Sequence, residues 1–239
     1  MGYAWMPGAR CVRAATDGGA LKGGAPRVVW QTLRVDPRLV SAHSAAQRLD
    51  QVGRPCHLVW NPLTGEIVQL IPILRAGCSL GGVDGLDHVR CAAADHLTRV
   101  NTEGRLCVQV SVVAFPWEPF TRGPMVGLDG ILEWLDSWHI PRRWTAGSPE
   151  PFAHAHATPR CRRLWARGGH YGGSQVPECA TADPGAVDVE KLTGVAVPHN
   201  VGLLRQSRDT APALARQARI PVGRVFEPEE PATASLARS

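Results

Sequence analysis

The sequence predicts an α/β domain, a central mixed β-sheet flanked by helices. Three observations predict it. Strand-like and helix-like segments alternate along the chain, an order that packs helices against a sheet. Residues 106–114, Leu-Cys-Val-Gln-Val-Ser-Val-Val-Ala, are a near-continuous apolar run, as expected of a central strand covered on both faces. Residues 125–139 place Leu128, Ile131, Leu132, Leu135 and Trp138 at helical spacing, which gives one apolar side.

The elements follow in order. Residues 1–26 are loop-like, with turn signals at Pro7-Gly8, Gly18-Gly19 and Gly23-Gly24. Residues 27–33, Arg-Val-Val-Trp-Gln-Thr-Leu, are β-branched and apolar and predict a buried strand. A helix is expected over 37–52, with Asp36 as N-cap, Leu39, Val40, Ala45 and Leu49 on one face, and Gly53 as the stop. A hairpin follows, with strands at 57–61 and 66–71 and Pro62-Leu63-Thr64-Gly65 as the turn. Residues 75–104 are irregular and polar, long enough to be functional or mobile. After the strand at 106–114 comes an aromatic, proline-bearing loop at 115–123, then the long helix. Trp134, Trp138 and Trp144 are expected in the core or at its rim. Residues 141–167 form a loop that carries the surface histidines His154 and His156. Residues 168–188, Gly-Gly-His-Tyr-Gly-Gly-Ser-Gln-Val-Pro-Glu-Cys-Ala-Thr-Ala-Asp-Pro-Gly-Ala-Val-Asp, lead into a short helix ending near Leu192. Asp183 is expected to cap that helix, with Pro184 in its first turn. The domain is thus expected to span residues 1–192. Residues 193–239 form a C-terminal extension, with a weak helix at 211–218 and a disordered end.

Composition narrows the function. The chain has 239 residues, 44% of them hydrophobic, enough for one large core. Its net charge is +5 and comes almost wholly from Arg, since Lys occurs only at Lys22 and Lys191. That balance suits an anionic partner such as nucleic acid or bacterial cell wall. No zinc finger, basic helix or aromatic RNA-binding strand is present, so nucleic acid is set aside. The seven cysteines lack zinc-ribbon pairing, and Cys56 and Cys107 sit in apolar runs as small buried hydrophobes. No apolar run is long enough for a membrane span, and the N-terminus shows no signal-peptide apolar region.

The stretch from Ser174 to Gly185 carries a resemblance. Ser174-Gln175-Val176-Pro177-Glu178, followed by Asp183-Pro184-Gly185, is similar to the C-terminal zinc motif of the N-acetylmuramoyl-L-alanine amidase family, in its actinobacterial and phage endolysin members. That family shares its fold with the peptidoglycan recognition proteins. Trp5-x-Pro7-Gly8-Ala9 and the pattern from Gly65 to Pro72 also look like family members, as does a histidine near His57. The resemblance runs in order over residues 5–192. It implies a mixed sheet with a zinc site in a surface groove, walled here by residues 75–104 and 141–167, and bacterial peptidoglycan or muropeptide as partner. It also implies action at the cell wall or outside the cell, by an export route other than a signal peptide.

A catalytic zinc needs three protein ligands and one open position for the water it activates. By the resemblance, the first ligand histidine falls at Gln31, in Val29-Trp30-Gln31-Thr32, and the second at Gly173. Asp183 is the retained ligand position. The family's strand glutamate falls at Ser111, and the Lys or His two residues before the Asp falls at Thr181. An amide is a poor zinc ligand beside imidazole, and glycine offers no donor. Loss of a general base typically costs about 10²–10⁴ in rate. Two ligands and the base are therefore replaced together, which implies a retained fold with a degenerate zinc site and no cofactor. An altered centre of His170, Cys179 and Asp183 would instead hold Zn2+. Three functions remain open: a peptidoglycan-binding amidase-like protein with lost or reduced hydrolase activity, an active zinc amidase with altered ligands, and a non-enzymatic interaction protein.

Overall fold

A computed structural model describes residues 2–80 and 100–194. The chain divides into a compact unit, Met1–His199, and a second unit, Asn200–Ser239, that lies wholly outside the described residues. The expected helix at 211–218, the disordered end and all but Thr193 and Gly194 of the expected extension fall outside them too.

The fold is α/β. Among the described residues six strands form one mixed sheet: β1 (Arg10–Cys11), β2 (Arg27–Thr32), β3 (Leu58–Trp60), β4 (Ile67–Gln69), β5 (Cys107–Val112) and β6 (Gly169–Gly172), in the order β1-β4-β3-β5-β2-β6. β3, β5, β2 and β6 run parallel, and β4 pairs antiparallel with β3 through the hairpin expected at 62–65. β5 lies between β3 and β2 and is buried throughout, as its apolar run requires. Two strands fall where the sequence predicts loop. β1 is two residues on the sheet edge. β6 is glycine-rich, and pairing with β2 rather than propensity makes it a strand.

Alternation along β2 and β5 divides the core. Val28, Trp30, Val108 and Val110 face one side, where α2 (Leu128–Ser137) lays down Ile131, Leu132 and Leu135. Val59 and Val68 face the other side, against α1 (Ala42–Gln51). Val29, Cys107 and Tyr171 share that second face with Trp165 of α3 (Arg162–Trp165). The α1 helix starts later than predicted. Pro37 and its neighbours make a turn, with Leu39 and Val40 amides bonded to Asp36 O, and Ser41 caps the helix by accepting from Ser44 N. Leu39 is left 83% exposed instead of facing the core. Trp134 and Trp144 are buried and Trp138 is half-buried.

The last helix among the described residues, α4 (Val189–Thr193), also begins later than predicted, and its cap is Asp188, whose carboxylate accepts from Lys191 N. Asp183 does not cap it, because its carboxylate is engaged elsewhere. No described helix is long and apolar enough to cross a membrane.

Candidate functional site

Parallel register carries chemistry to the carboxyl ends of β2, β5 and β6. Gln31 lies opposite Ser111, and Gly173 follows directly on β6. With side chains alternating, Gln31, Ser111 and position 173 share one face. A Cβ added at Gly173 would stand 3.3 Å from Gln31 Cγ, 3.0 Å from Thr181 Cγ2 and 3.3 Å from the Asp183 carbonyl oxygen. Residues 31, 173, 181 and 183 therefore meet at one point. Doubly wound and mixed sheets place ligands at this end of their parallel strands.

Asp183 is 4% exposed. Its Oδ1 accepts from the Thr32 hydroxyl at 2.6 Å and its Oδ2 from the Thr181 hydroxyl at 2.7 Å. The Asp183 amide donates to Thr181 Oγ1 at 3.2 Å, and Ser174 N donates to Asp183 O at 2.6 Å. Arg34 Nε lies 3.9 Å from Oδ1, with its guanidinium carbon 5.1 Å from the centre of the Phe152 ring. Arg160 ties the loop from behind, donating to Ser174 O and Thr181 O. The result is a clamp in which one carboxylate organises two hydroxyls and a nearby cation.

Gln31 belongs to a different network. Ser79 Oγ lies 2.9 Å from Gln31 Oε1 and 2.8 Å from Gln109 Oε1. Gln109 Oε1 also accepts from Ser79 N, and Gln109 Nε2 donates to Asn101 Oδ1 at 2.6 Å. Asn101 in turn bonds both backbone groups of Leu80. These buried amides fasten residues 79–80 and 101 to the sheet, and each finds a partner, as burial demands. The Ser111 hydroxyl is in hydrogen-bonding contact with the Cys56 thiol, whose pKa burial pushes up to about 11.

These residues do not fit a zinc ion. Asp183 is the one carboxylate among these positions, the Gln31 amide oxygen accepts from Ser79, and Gly173 has no side chain, so one of three ligands is present. Among the described residues no group of three or more His, Cys, Asp or Glu could hold a metal. Nor are His170, Cys179 and Asp183 brought together. His170 lies on the opposite face of the sheet, between Trp30 and Trp144, where its Nδ1 accepts from Trp30 Nε1 at 3.2 Å. Burial lowers its pKa to about 3, so it is neutral, and the proton sits on Nε2. Cys179 is buried with Val29, Cys107 and Tyr171 on the other face. His57, near the family's hairpin histidine, is structural. Its Nδ1 accepts from Gln109 N and its Nε2 donates to Arg75 O, while burial lowers its pKa to about 4. His154 and His156 are exposed, as expected.

The expected groove walls are described only in part. Residues 141–167 approach the clamp through Phe152 and Arg160. Most of the 75–104 segment, residues 81–99, lies outside the described residues. A groove of about 250 Å3 opens between the β2–α1 connection, the β3–β4 turn and residues 114–124. Sequence reasoning missed Thr32, Arg34 and Ser79. Thr32 closes the Trp30-Gln31-Thr32 stretch of β2, its one local signal. Arg34 and Ser79 reach their partners across the fold and leave no local pattern.

No protein-family model matches the chain, and no curated protein matches it. Among solved structures it is similar to a selenomethionine derivative of AmpD, at 14% sequence identity and a TM-score of 0.40, over 80% of this chain and 96% of that one.

Proposed function

We propose that this chain binds bacterial peptidoglycan or its muropeptide fragments without hydrolysing them, on an amidase-like domain ending near residue 192. One observation carries the reading. Positions 31, 111, 173, 181 and 183, singled out by motif alone and scattered over the sequence, gather at the carboxyl ends of β2, β5 and β6. Unrelated motif matches have no physical reason to converge, so the meeting supports kinship with the amidase family. What stands there supports loss of the chemistry. A zinc-bound water needs three donors and an open position, whereas these positions supply one carboxylate and no imidazole or thiolate. Ser111 in place of a carboxylate removes the base that would deprotonate the water. Binding needs neither group.

The experiment is co-sedimentation of the protein with purified peptidoglycan, followed by analysis of released stem peptides in the presence of zinc. The protein is expected in the pellet, with no cleavage of the bond between N-acetylmuramic acid and L-Ala. Protein left in the supernatant contradicts the binding half. Zinc-dependent release of stem peptides contradicts the non-hydrolytic half.

A further inference from the structure

Positive charge gathers at the amino ends of β5, β2 and β6, the end of the sheet away from Asp183. Arg27 opens β2 opposite Cys107 and Gly169, the first residues of β5 and β6. Arg105 and Arg167 stand two residues before those strands. Arg143 O accepts from His170 N, and the Arg143 guanidinium donates to Arg167 O. Arg163 lies in α3, which leads directly into Arg167. Residues 139–149 and 161–170 hold five arginines and no Asp or Glu.

Few carboxylates answer them. Asp136 pairs with Arg142, and Glu103 and Glu178 pair with Arg162. Glu103 also stands 3.9 Å from Arg27, whose buried guanidinium packs on the Trp165 ring. Arg105, Arg143, Arg163 and Arg167 are exposed and reach no carboxylate among the described residues.

The surroundings of these guanidiniums select the partner. None of the exposed large hydrophobics lies in these segments, so nothing there would stack on a base. With four residues, α3 is too short to lie in a nucleic-acid groove. What remains is recognition of phosphate, for which guanidinium is well matched. Neighbouring strand ends stand about 4.8 Å apart, so the arginines are set side by side along one end of the sheet. That arrangement meets a plane of phosphates.

We propose that Arg105, Arg143, Arg163 and Arg167 dock this end of the domain on an anionic phospholipid surface, through the headgroup phosphates. The proposal is independent of the peptidoglycan reading. β2 is six residues long, so the two ends of the sheet are about 20 Å apart, more than twice the roughly 8 Å Debye length at physiological salt. The docked domain therefore turns its carboxyl-end site away from the lipid.

Co-sedimentation of the full chain compares vesicles of phosphatidylcholine alone with vesicles of equal parts phosphatidylcholine and phosphatidylglycerol, at about 0.05 M and about 0.5 M salt. Wild type is expected on the phosphatidylglycerol vesicles at low salt, off them at high salt, and never on phosphatidylcholine alone. Each basic residue at such a surface contributes about fivefold to partitioning, so Arg163→Gln with Arg167→Gln should lower it about 25-fold. The same pair changed to Lys keeps the charge and most of the binding. All four substituted side chains are exposed, so both double variants are expected to melt like wild type. Sedimentation with purified peptidoglycan should be the same for wild type and the glutamine variant. Equal wild-type binding to the two kinds of vesicle overturns the proposal, as does a glutamine variant that binds like wild type. Tighter binding to single-stranded RNA than to the vesicles, lost in the same variant, gives the surface to nucleic acid and overturns it too. Loss of peptidoglycan sedimentation in that variant places wall binding at this end and also overturns it. Vesicle binding without any wild-type binding to peptidoglycan overturns the peptidoglycan reading alone.

Discussion

A buried carboxylate can tie two segments together by accepting one hydroxyl on each oxygen. Asp183 is in that state, with Thr32 on one oxygen, Thr181 on the other, and Arg34 nearby. Its service is to hold the loop after β6 against the end of β2. Asp183→Asn keeps the shape but exchanges one acceptor for an N–H2 donor, so one buried threonine hydroxyl faces a group that cannot accept its proton. Leaving a buried polar group unsatisfied costs about 1–3 kcal/mol. Urea unfolding should show a loss of that size. A variant as stable as wild type would mean the clamp is not formed in solution.

At the scale of elements, α1 illustrates how the sheet is covered. Its buried positions are Ala42, Ala45, Ala46 and Leu49. Three alanines let the helix axis approach β3 and β4 closely, so the face has no room for branching. Ala46→Leu is expected to cost about 1–3 kcal/mol through overpacking. Gln47→Leu, one position on and exposed, is expected to stay within about 0.5 kcal/mol. Urea midpoints for the two variants check the contrast, and similar values would place α1 elsewhere. The same element marks a limit of legibility. Periodicity placed a helix here but extended it back to Pro37, because Leu39 and Val40 fit the apolar pattern. Ser41 is the better cap, and its hydroxyl begins the helix five residues later. The hairpin and the strand at 107–112 were readable because their signals are local: turn chemistry in one case, an unbroken apolar run in the other. β6 was not, since Gly-His-Tyr-Gly becomes a strand only by lying beside β2.

For the whole molecule, two buried histidines set the response to acid. Burial depresses His57 to about 4 and His170 to about 3, against an unfolded value near 6.5. Both are neutral when folded, so their contribution is fully present above the unfolded value. As pH falls from about 6.5 toward those folded values, the unfolded chain takes up protons that the folded chain refuses. Stability should then drop by up to about 1.4 kcal/mol per pH unit for each histidine. Denaturant titrations between pH 7.5 and 4.5 on wild type and His170→Gln check this. The variant should lose less over that range, and parallel curves would contradict the assignment. The candidate site was legible to a comparable degree. The motif positions could be named from sequence because Asp-Pro-Gly and Trp-Gln-Thr are contiguous. Their actual partners, Ser79 for Gln31 and Thr32 for Asp183, arise from sheet order and loop return, which no local pattern encodes.

The central claim is that the point where Gln31, Gly173 and Asp183 meet lacks the donors to hold zinc. Metal content after purification in zinc and exhaustive dialysis tests it most directly, measured on wild type and Asp183→Ala. The expected result is well below one zinc per chain, with no difference between the two proteins. One equivalent in wild type, lost in Asp183→Ala, would contradict the account.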